Sequence, residues 1–163
     1  MTDLKAHSEK AKLALQKNKK LAAALRKKKP KDLDLVSREL HDKAFSHIDC
    51  LQCANCCKTI SPIVTDKDIQ RIAKHLRIRP AQMVESYLLL DEENDYVFRQ
   101  QPCPFLGEDN YCSIYDVRPK ACREYPHTDR EKFYQLLNLS VKNTLVCPAV
   151  LEVFEGLEVR YKK

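Results

Sequence analysis

Four thiols within eight residues, in Cys50-Leu51-Gln52-Cys53-Ala54-Asn55-Cys56-Cys57, constrain this chain more than any other feature. A gap of two residues between cysteines turns the backbone so that both sulfurs can face one metal, as in zinc knuckles and iron–sulfur loops. On a helix, steps of about 100° per residue would also gather Cys50, Cys53, Cys56 and Cys57 within roughly a third of the circumference. Either conformation brings four sulfurs together. The competing reading is a stripe of buried cysteines acting as small apolar side chains, and four in eight residues weigh against it. Cys56 and Cys57 are neighbours whose side chains diverge in an extended chain and only partly converge in a helix. They are expected to serve different metals, or different irons of one cluster.

Four more cysteines follow, in Pro102-Cys103-Pro104-Phe105-Leu106, Tyr111-Cys112-Ser113-Ile114-Tyr115, Ala121-Cys122-Arg123 and Val146-Cys147-Pro148. Cys103 and Cys147 stand directly before proline, a context found at ligand cysteines of bacterial ferredoxin loops. Eight cysteines suffice for two sites of four thiolates each, or for one four-thiolate iron–sulfur cluster beside a second metal site, and spacing leaves both open. The run at 50–57 is expected to be completed by the distant four rather than to close a site alone. Closing so long a loop through a metal would also remove entropy from the unfolded chain. His47, Asp49 and His127 could substitute as ligands, although solvated or hydrogen-bonding roles are the expectation. Arg118 and Arg123 flank Cys122, within reach of cluster sulfurs or a bound anion, or of Asp116 and Glu124 as ordinary ion-pair partners. Tyr111, Tyr115 and Tyr125 are expected to pack against the metal site rather than to line a pocket.

Composition excludes several machines. The chain has 163 residues, about one domain's worth, and only two glycines, Gly107 and Gly156. Dinucleotide-binding, P-loop and nucleophile-elbow motifs each need two or more glycines within a few residues. With no tryptophan and 32% charged residues, the core is modest, and a domain this small depends on extra staples. The net charge of +6 is unevenly spread. Residues 1–31 hold eleven basic side chains, from Lys5 to Lys31, against Asp3 and Glu9, a net +9, while the remainder is at −3. A basic arm on a mildly acidic body suggests contact with nucleic acid or another polyanion through Lys5–Lys31. No apolar run is long enough for a secretory h-region or a membrane span, so no membrane contact is expected. An arm with one Arg and one Ser is unlike a mitochondrial presequence. The expected location is the cytoplasm, where thiols stay reduced and bind metal or react rather than form disulfides.

The fold class expected is mainly α, within α+β: a small helical domain with a short β-hairpin and loops organised around an eight-cysteine metal site, behind a long basic N-terminal helix. Residues 1–31 are expected as a basic helical arm and 32–163 as the cysteine-rich metal-binding domain. Good helix formers without Gly or Pro fill residues 2–29. Their thin apolar stripe would carry His7 and Asn18 on its seam, which suggests a helix that projects or frays. Val36, Leu40, Ala44 and Ile48 repeat every fourth residue and predict a helix over 33–48. Thr65-Asp66-Lys67-Asp68 resembles a capping box for a helix ending near Arg77, and Pro80 suits the first turn of another through Tyr87. Leu88–Leu90 and residues 96–99 predict a hairpin. Residues 102–125 read mostly as loop, followed by helices over 130–139 and 148–154.

Cys-x-x-Cys-x-x-Cys-Cys, then Cys-Pro-Phe-Leu, then Cys-Ser-Ile-Tyr-Asp-Val-Arg-Pro-x-x-Cys-Arg-x-Tyr-Pro, then Cys-Pro-Ala-Val, resembles the YkgJ-type CxxCxxCC family of zinc- or iron-chelating domains, over about residues 48–154. The resemblance implies that Cys50, Cys53, Cys56, Cys57, Cys103, Cys112, Cys122 and Cys147 are the metal-binding set. It also implies that Tyr115, Arg118, Pro119, Arg123 and Pro126 belong to the surrounding signature, with Tyr115, Arg118 and Arg123 placed to contact a cofactor. Many relatives carry a glycine where this chain has Ala54-Asn55. Flagellin lysine N-methylases resemble the same family, so iron–sulfur-dependent methyl transfer to lysine, or an accessory role in it, is an alternative function. Against an enzyme, no methyl-donor loop and no paired acid and base are visible outside the cysteines. Metal storage or delivery is a third reading, which the rigid Cys-Pro contexts oppose. The leading expectation is a small metalloprotein with a structural or redox-active metal. An iron–sulfur cluster, [4Fe–4S] in type, is favoured over zinc.

Overall fold

Residues 3–162 are described by a computed structural model. Its helices are α1 Leu4–Lys28, α2 Leu33–Phe45, α3 Cys50–Cys53, α4 Asn55–Thr59, α5 Asp66–Leu76, α6 Pro80–Tyr87, α7 Lys120–Glu124, α8 Leu137–Asn143 and α9 Pro148–Tyr161, with a hairpin of β1 Leu88–Leu90 and β2 Tyr96–Phe98. The protein is therefore mainly α with a small β element, as its sequence pattern implies. None of the described helices is long and apolar enough to cross a membrane. Packing divides the chain into two units: one joins the chain up to Cys53 with the chain from Pro126 onward, and the other is Ala54–Tyr125. The change of charge after Lys31 does not coincide with this division.

In the first unit, α1 begins where the Asp3 carboxylate accepts the amides of Lys5 and Ala6, each at 3.0 Å, filling two of the donors that a helix start leaves open. Arg26, Lys27 and Lys28 sit in the last turn, where the free carbonyls favour positive charge. The helix does not project. Its stripe of His7, Ala11, Asn18, Ala22 and Leu25 is buried and packs chiefly along α8, with further contact to α9. Ala22 and Leu25 join a core of Leu33, Val36, Phe133, Leu137, Val141, Val150, Val153, Phe154 and Leu157. Small side chains at Ala11 and Ala22 allow the close approach, and the two polar seam residues are buried with them. Asn18 Nδ2, together with Ser140 Oγ and Asn143 Nδ2 of α8, has no hydrogen-bond partner among the described residues, each unmet group costing about 1–3 kcal/mol. Lys10 meets Glu155 at 2.6 Å and Lys17 meets Glu158 at 2.7 Å, ties to α9 that contribute little at a wet surface.

Three helix limits here differ from the sequence expectation, the first being α2, which ends at Phe45 rather than at 48. The helix expected over 130–139 starts only at Leu137, after a 3₁₀ turn at Phe133–Gln135. Asp34 of α2 takes the amides of Lys132 at 2.7 Å and Phe133 at 2.9 Å, and Lys132 is left-handed at φ 55°, which stops any helix from running through. The last helix continues past Phe154 and through Gly156 to Tyr161. At Gly156 the backbone lies against the Leu40 methyl groups of α2, where a Cβ would collide.

In the second unit, α5 starts with a full capping box, Thr65 taking the Asp68 amide and Asp68 taking that of Thr65. Pro80 opens α6, which leads directly into β1. The strands pair antiparallel with Leu88 opposite Phe98 and Leu90 opposite Tyr96. The Asp91 carboxylate holds the turn by accepting the amides of Glu93 and Asp95, each at 2.9 Å. Val64, Ile69, Ile72, Ala73, Met83, Leu88, Phe98, Phe105 and Ile114 make the core. Residues 102–125 are mostly loop as expected, apart from a 3₁₀ turn at Tyr115–Val117 and the short α7.

Candidate metal centre

The cysteine run is neither one helix nor an open loop. It is two short helical pieces, α3 and α4, separated at Ala54, which is left-handed at φ 47°, ψ 19°. The Asp49 carboxylate accepts the Leu51 amide at 2.9 Å and so starts α3. An L-residue pays about 1–2 kcal/mol to be left-handed, and a glycine takes that conformation freely. The glycine that the resemblance leads one to expect near Ala54-Asn55 has its physical reason at this break.

Cys57, Cys103, Cys112 and Cys122 all lie in the unit Ala54–Tyr125 and form one electrostatic neighbourhood. Cys122 is affected by Cys57, Cys103 and Cys112, Cys103 by Cys112 and Cys57, and Cys112 by Cys57. The Cys103 amide donates to the Cys57 carbonyl at 2.9 Å, fixing two of them backbone to backbone. Cys103 and Cys112 sit at the start of similar tight turns. In the first, the amides of Phe105 and Leu106 are directed at the Cys103 sulfur, and in the second the amide of Ile114 is directed at the Cys112 sulfur. The residue two beyond each cysteine is also a core anchor: Phe105 stacks on Tyr87 and Phe98 with ring centroids 4.8 and 5.6 Å away, and Ile114 is fully buried. Each turn is thus pinned by the side chain whose amide serves the sulfur. The turns are joined by a bridge between Leu106 and Cys112 and by the Ser113 amide on the Phe105 carbonyl at 2.8 Å.

Cys50, Cys53 and Cys147 lie in the other unit, where Cys147 is affected by the first two. Cys147 precedes α9, and the amides of Ala149 and Val150 in its first turn are directed at the sulfur. Pro148 supplies no amide, and at that position a helix has no use for one. Cys56 is beside Cys57, with a hydrogen bond between the two side chains.

Burial controls the protonation of most of these thiols. It pushes Cys103 and Cys147 up to about 11 and Cys122 up to about 12, outweighing the amides and, at Cys122, the opposing Arg118. Cys112 is raised for the same reason. Cys57 is drawn down to about 7 by the Cys56 thiol, against burial and with help from Lys58. No three of the described Cys, His, Asp or Glu side chains converge on one ion position. A metal bound by these sulfurs replaces their protons. The donor set fits a soft or borderline metal: several sulfurs per neighbourhood, with amide N–H groups oriented to stabilise thiolate.

An ion pair built on a buried carboxylate, which local sequence patterns did not mark as part of the site, holds the segment leading to Cys122. Asp68 is fully buried and accepts from the Thr65 amide (3.0 Å), the Thr65 hydroxyl (2.7 Å), Arg71 Nη2 (2.5 Å) and the Lys120 amide (3.1 Å). Arg71 in turn donates to the carbonyls of Val117 (3.3 Å) and Arg118 (2.9 Å). Together they clamp residues 117–120 to α5, immediately before α7 and its Cys122. Burial alone would raise the Asp68 carboxyl, but hydrogen bonds from Thr65, Arg71 and Lys120 outweigh it and hold the group below its ordinary value.

Of the remaining signature residues, Pro119 and Pro126 are buried, whereas Tyr115, Arg118 and Arg123 reach the surface. Arg118 lies over the Tyr115 ring, 3.8 Å from the centroid, and donates to the Tyr115 carbonyl at 2.6 Å. It is close enough to Cys112 and Cys122 to favour their thiolates. Arg123 is exposed. Tyr111 and Tyr115 are more than half exposed, so neither packs away as the sequence suggests. His47 bonds Glu152 at 2.9 Å and the Lys43 carbonyl at 3.0 Å, and Asp49 is occupied as a cap, both in hydrogen-bonding roles.

Residues 49–140 match the family model CxxCxxCC, described as "Putative zinc- or iron-chelating domain". A protein of Methanocaldococcus jannaschii named only as uncharacterized is 33% identical over 84 residues, 48% of this chain and 44% of that protein. The match thus spans less than half the length of that curated relative. No solved structure matches the chain significantly.

Proposed function

This chain belongs to the CxxCxxCC family, more than half of it lying within the family match, and on that premise we propose a metal–thiolate protein with two groups of ligands. Cys57, Cys103, Cys112 and Cys122 hold one centre, and Cys50, Cys53 and Cys147 contribute to a second. The observation that carries the reading is the set of amides directed at the sulfurs of Cys103, Cys112 and Cys147. Such donors stabilise a thiolate and do little for a neutral thiol. Iron, as an iron–sulfur cluster, is favoured over zinc by the Cys-x-x-Cys-x-x-Cys run and by Cys103 and Cys147 standing before proline. When bound, the metal cross-links loops that have little regular structure and, as a cluster, adds capacity for one-electron chemistry. The chain's own contribution is to pin two ligand turns through Phe105 and Ile114, and a third ligand through the Asp68–Arg71 clamp. The reducing cytoplasm is the compartment such thiols suit.

The test is anaerobic purification with elemental analysis, acid-labile sulfide assay and a visible spectrum, repeated on Cys103→Ser and Cys147→Ser. Each variant is expected to lose one part of the iron and sulfide and keep the other. Stoichiometric zinc in a colourless protein would overturn iron. Absence of any tightly held metal, or equal loss of all metal in both variants, would overturn the two-group reading.

A further inference from the structure

The basic residues of α1 fall into two classes that the sequence does not separate. At about 100° per residue, Lys10 and Lys17 lie on one flank of the buried stripe, and both are engaged with Glu155 and Glu158 of α9. Lys5, Lys12, Lys19 and Arg26 lie on the other flank, each seven residues from the last, and all are exposed. None of these four has an ion-pair partner among the described residues. Helix-end electrostatics accounts for Arg26 but not for the other three. At 1.5 Å per residue the row is about 31 Å long, with a cation roughly every 10.5 Å. The docked helix holds the row facing outward, with a drift of about 20° around its axis at each step.

We propose that this row on the docked α1 is a binding surface for the phosphodiester backbone of a nucleic acid, with Lys20 and Lys27 as outer neighbours. A linear polyanion matches a linear row of cations, and backbone contacts carry no sequence preference. A membrane surface matches less well. Interfacial helices insert an apolar face, whereas the apolar stripe of α1 is buried in its own unit, and among the described large apolar side chains that are exposed only Leu13 lies on this helix. Lys10 and Lys17 take no part, because their charges are already engaged within the protein. The inference is independent of the metal reading.

The experiment uses the full chain and three probes: a duplex DNA, a single-stranded RNA, and vesicles rich in anionic lipid. Each phosphate neutralised on duplex DNA contributes about −0.9 to the slope of log affinity against log salt. The wild-type slope is therefore expected near −3.6 or steeper, and Lys12→Gln/Lys19→Gln/Arg26→Gln should reduce it by about 3 and weaken binding at least tenfold at low salt. Lys10→Gln/Lys17→Gln should leave the slope unchanged while lowering thermal stability. Circular dichroism of both variants confirms that α1 is retained. Binding to either nucleic acid with this pattern supports the surface. Equal weakening by the two variants, binding to vesicles alone, or no binding to any probe overturns it.

Discussion

Asp68 offers the sharpest test of how the second unit is held together. It is completely buried, makes four hydrogen bonds and acts as acceptor in all of them. Asp68→Asn keeps the shape but replaces one acceptor oxygen with a donor. Whichever way the amide is turned, a backbone N–H, of Thr65 or of Lys120, faces another donor, and Arg71 loses its counter-charge. A charged hydrogen bond lost in a buried place costs about 1.5–3 kcal/mol, and breaking a buried pair about 3–5 kcal/mol. Because Arg71 remains about a third exposed, water recovers part of that, and the expected cost is about 2–4 kcal/mol. The pH dependence has a definite sign. Asp68 titrates below its ordinary value when folded, so its stabilisation is complete above about pH 4 and drains away as pH falls through the lowered folded value. The gap between wild type and variant should therefore be full at neutral pH and shrink in acid. Urea unfolding at several pH values measures the gap, and hydrogen exchange at the Lys120 amide reads the clamp itself, with acceleration of about thirtyfold or more expected from 1.4 kcal/mol per decade. A cost below about 0.5 kcal/mol at neutral pH, or an unchanged Lys120 exchange rate, would refute the assignment of Asp68 as the group that anchors the approach to Cys122.

Two further substitutions probe backbone and seam. Ala54→Val should destabilise by about 2 kcal/mol or more in chemical denaturation, because a β-branched residue is strongly disfavoured at φ 47°. Ala54→Gly should change stability by less than about 1 kcal/mol, strain relief being offset by greater chain entropy and a lost buried methyl. Asn18→Leu removes a buried amide nitrogen that lacks a partner among the described residues and should raise the stability of the first unit by about 1 kcal/mol. A loss of stability in that variant would mean that the seam is held by its polar groups rather than in spite of them.

What could be read from the sequence is what short-range physics decides. The capping box at Thr65–Asp68, the proline starts at Pro80 and Pro148 and the hairpin around Asp91–Asp95 all involve residues a few positions apart, and all stand where expected. What could not be read depends on distant partners. Asp34 stops a helix nearly a hundred residues away by taking the amides of Lys132 and Phe133. The burial of His7 and Asn18 against α8 runs against the polarity that made α1 look unsupported. The capping signal identified Asp68 as a helix start, but nothing local ties its second oxygen to Lys120, 52 residues on. For the cysteines, order and spacing marked all eight as candidates, while their grouping depends on which unit each belongs to.

That grouping has a consequence in time. Ala54–Tyr125 is one continuous stretch, whereas the other unit is assembled from chain on both sides of it. A ribosome releases α1 and α2 long before α8 and α9, on which Leu25, Leu33 and Val36 depend for their core. At about 5–20 residues per second, the stretch from Phe45 to Pro148 takes several seconds to synthesise. Within that interval, once Tyr125 has been made, the middle unit has every residue of its own core and all of Cys57, Cys103, Cys112 and Cys122, before Cys147 joins Cys50 and Cys53 in the other unit. On the proposed grouping, the ligands of the middle unit are therefore complete in the chain before Cys147, the last ligand of the other group, is made.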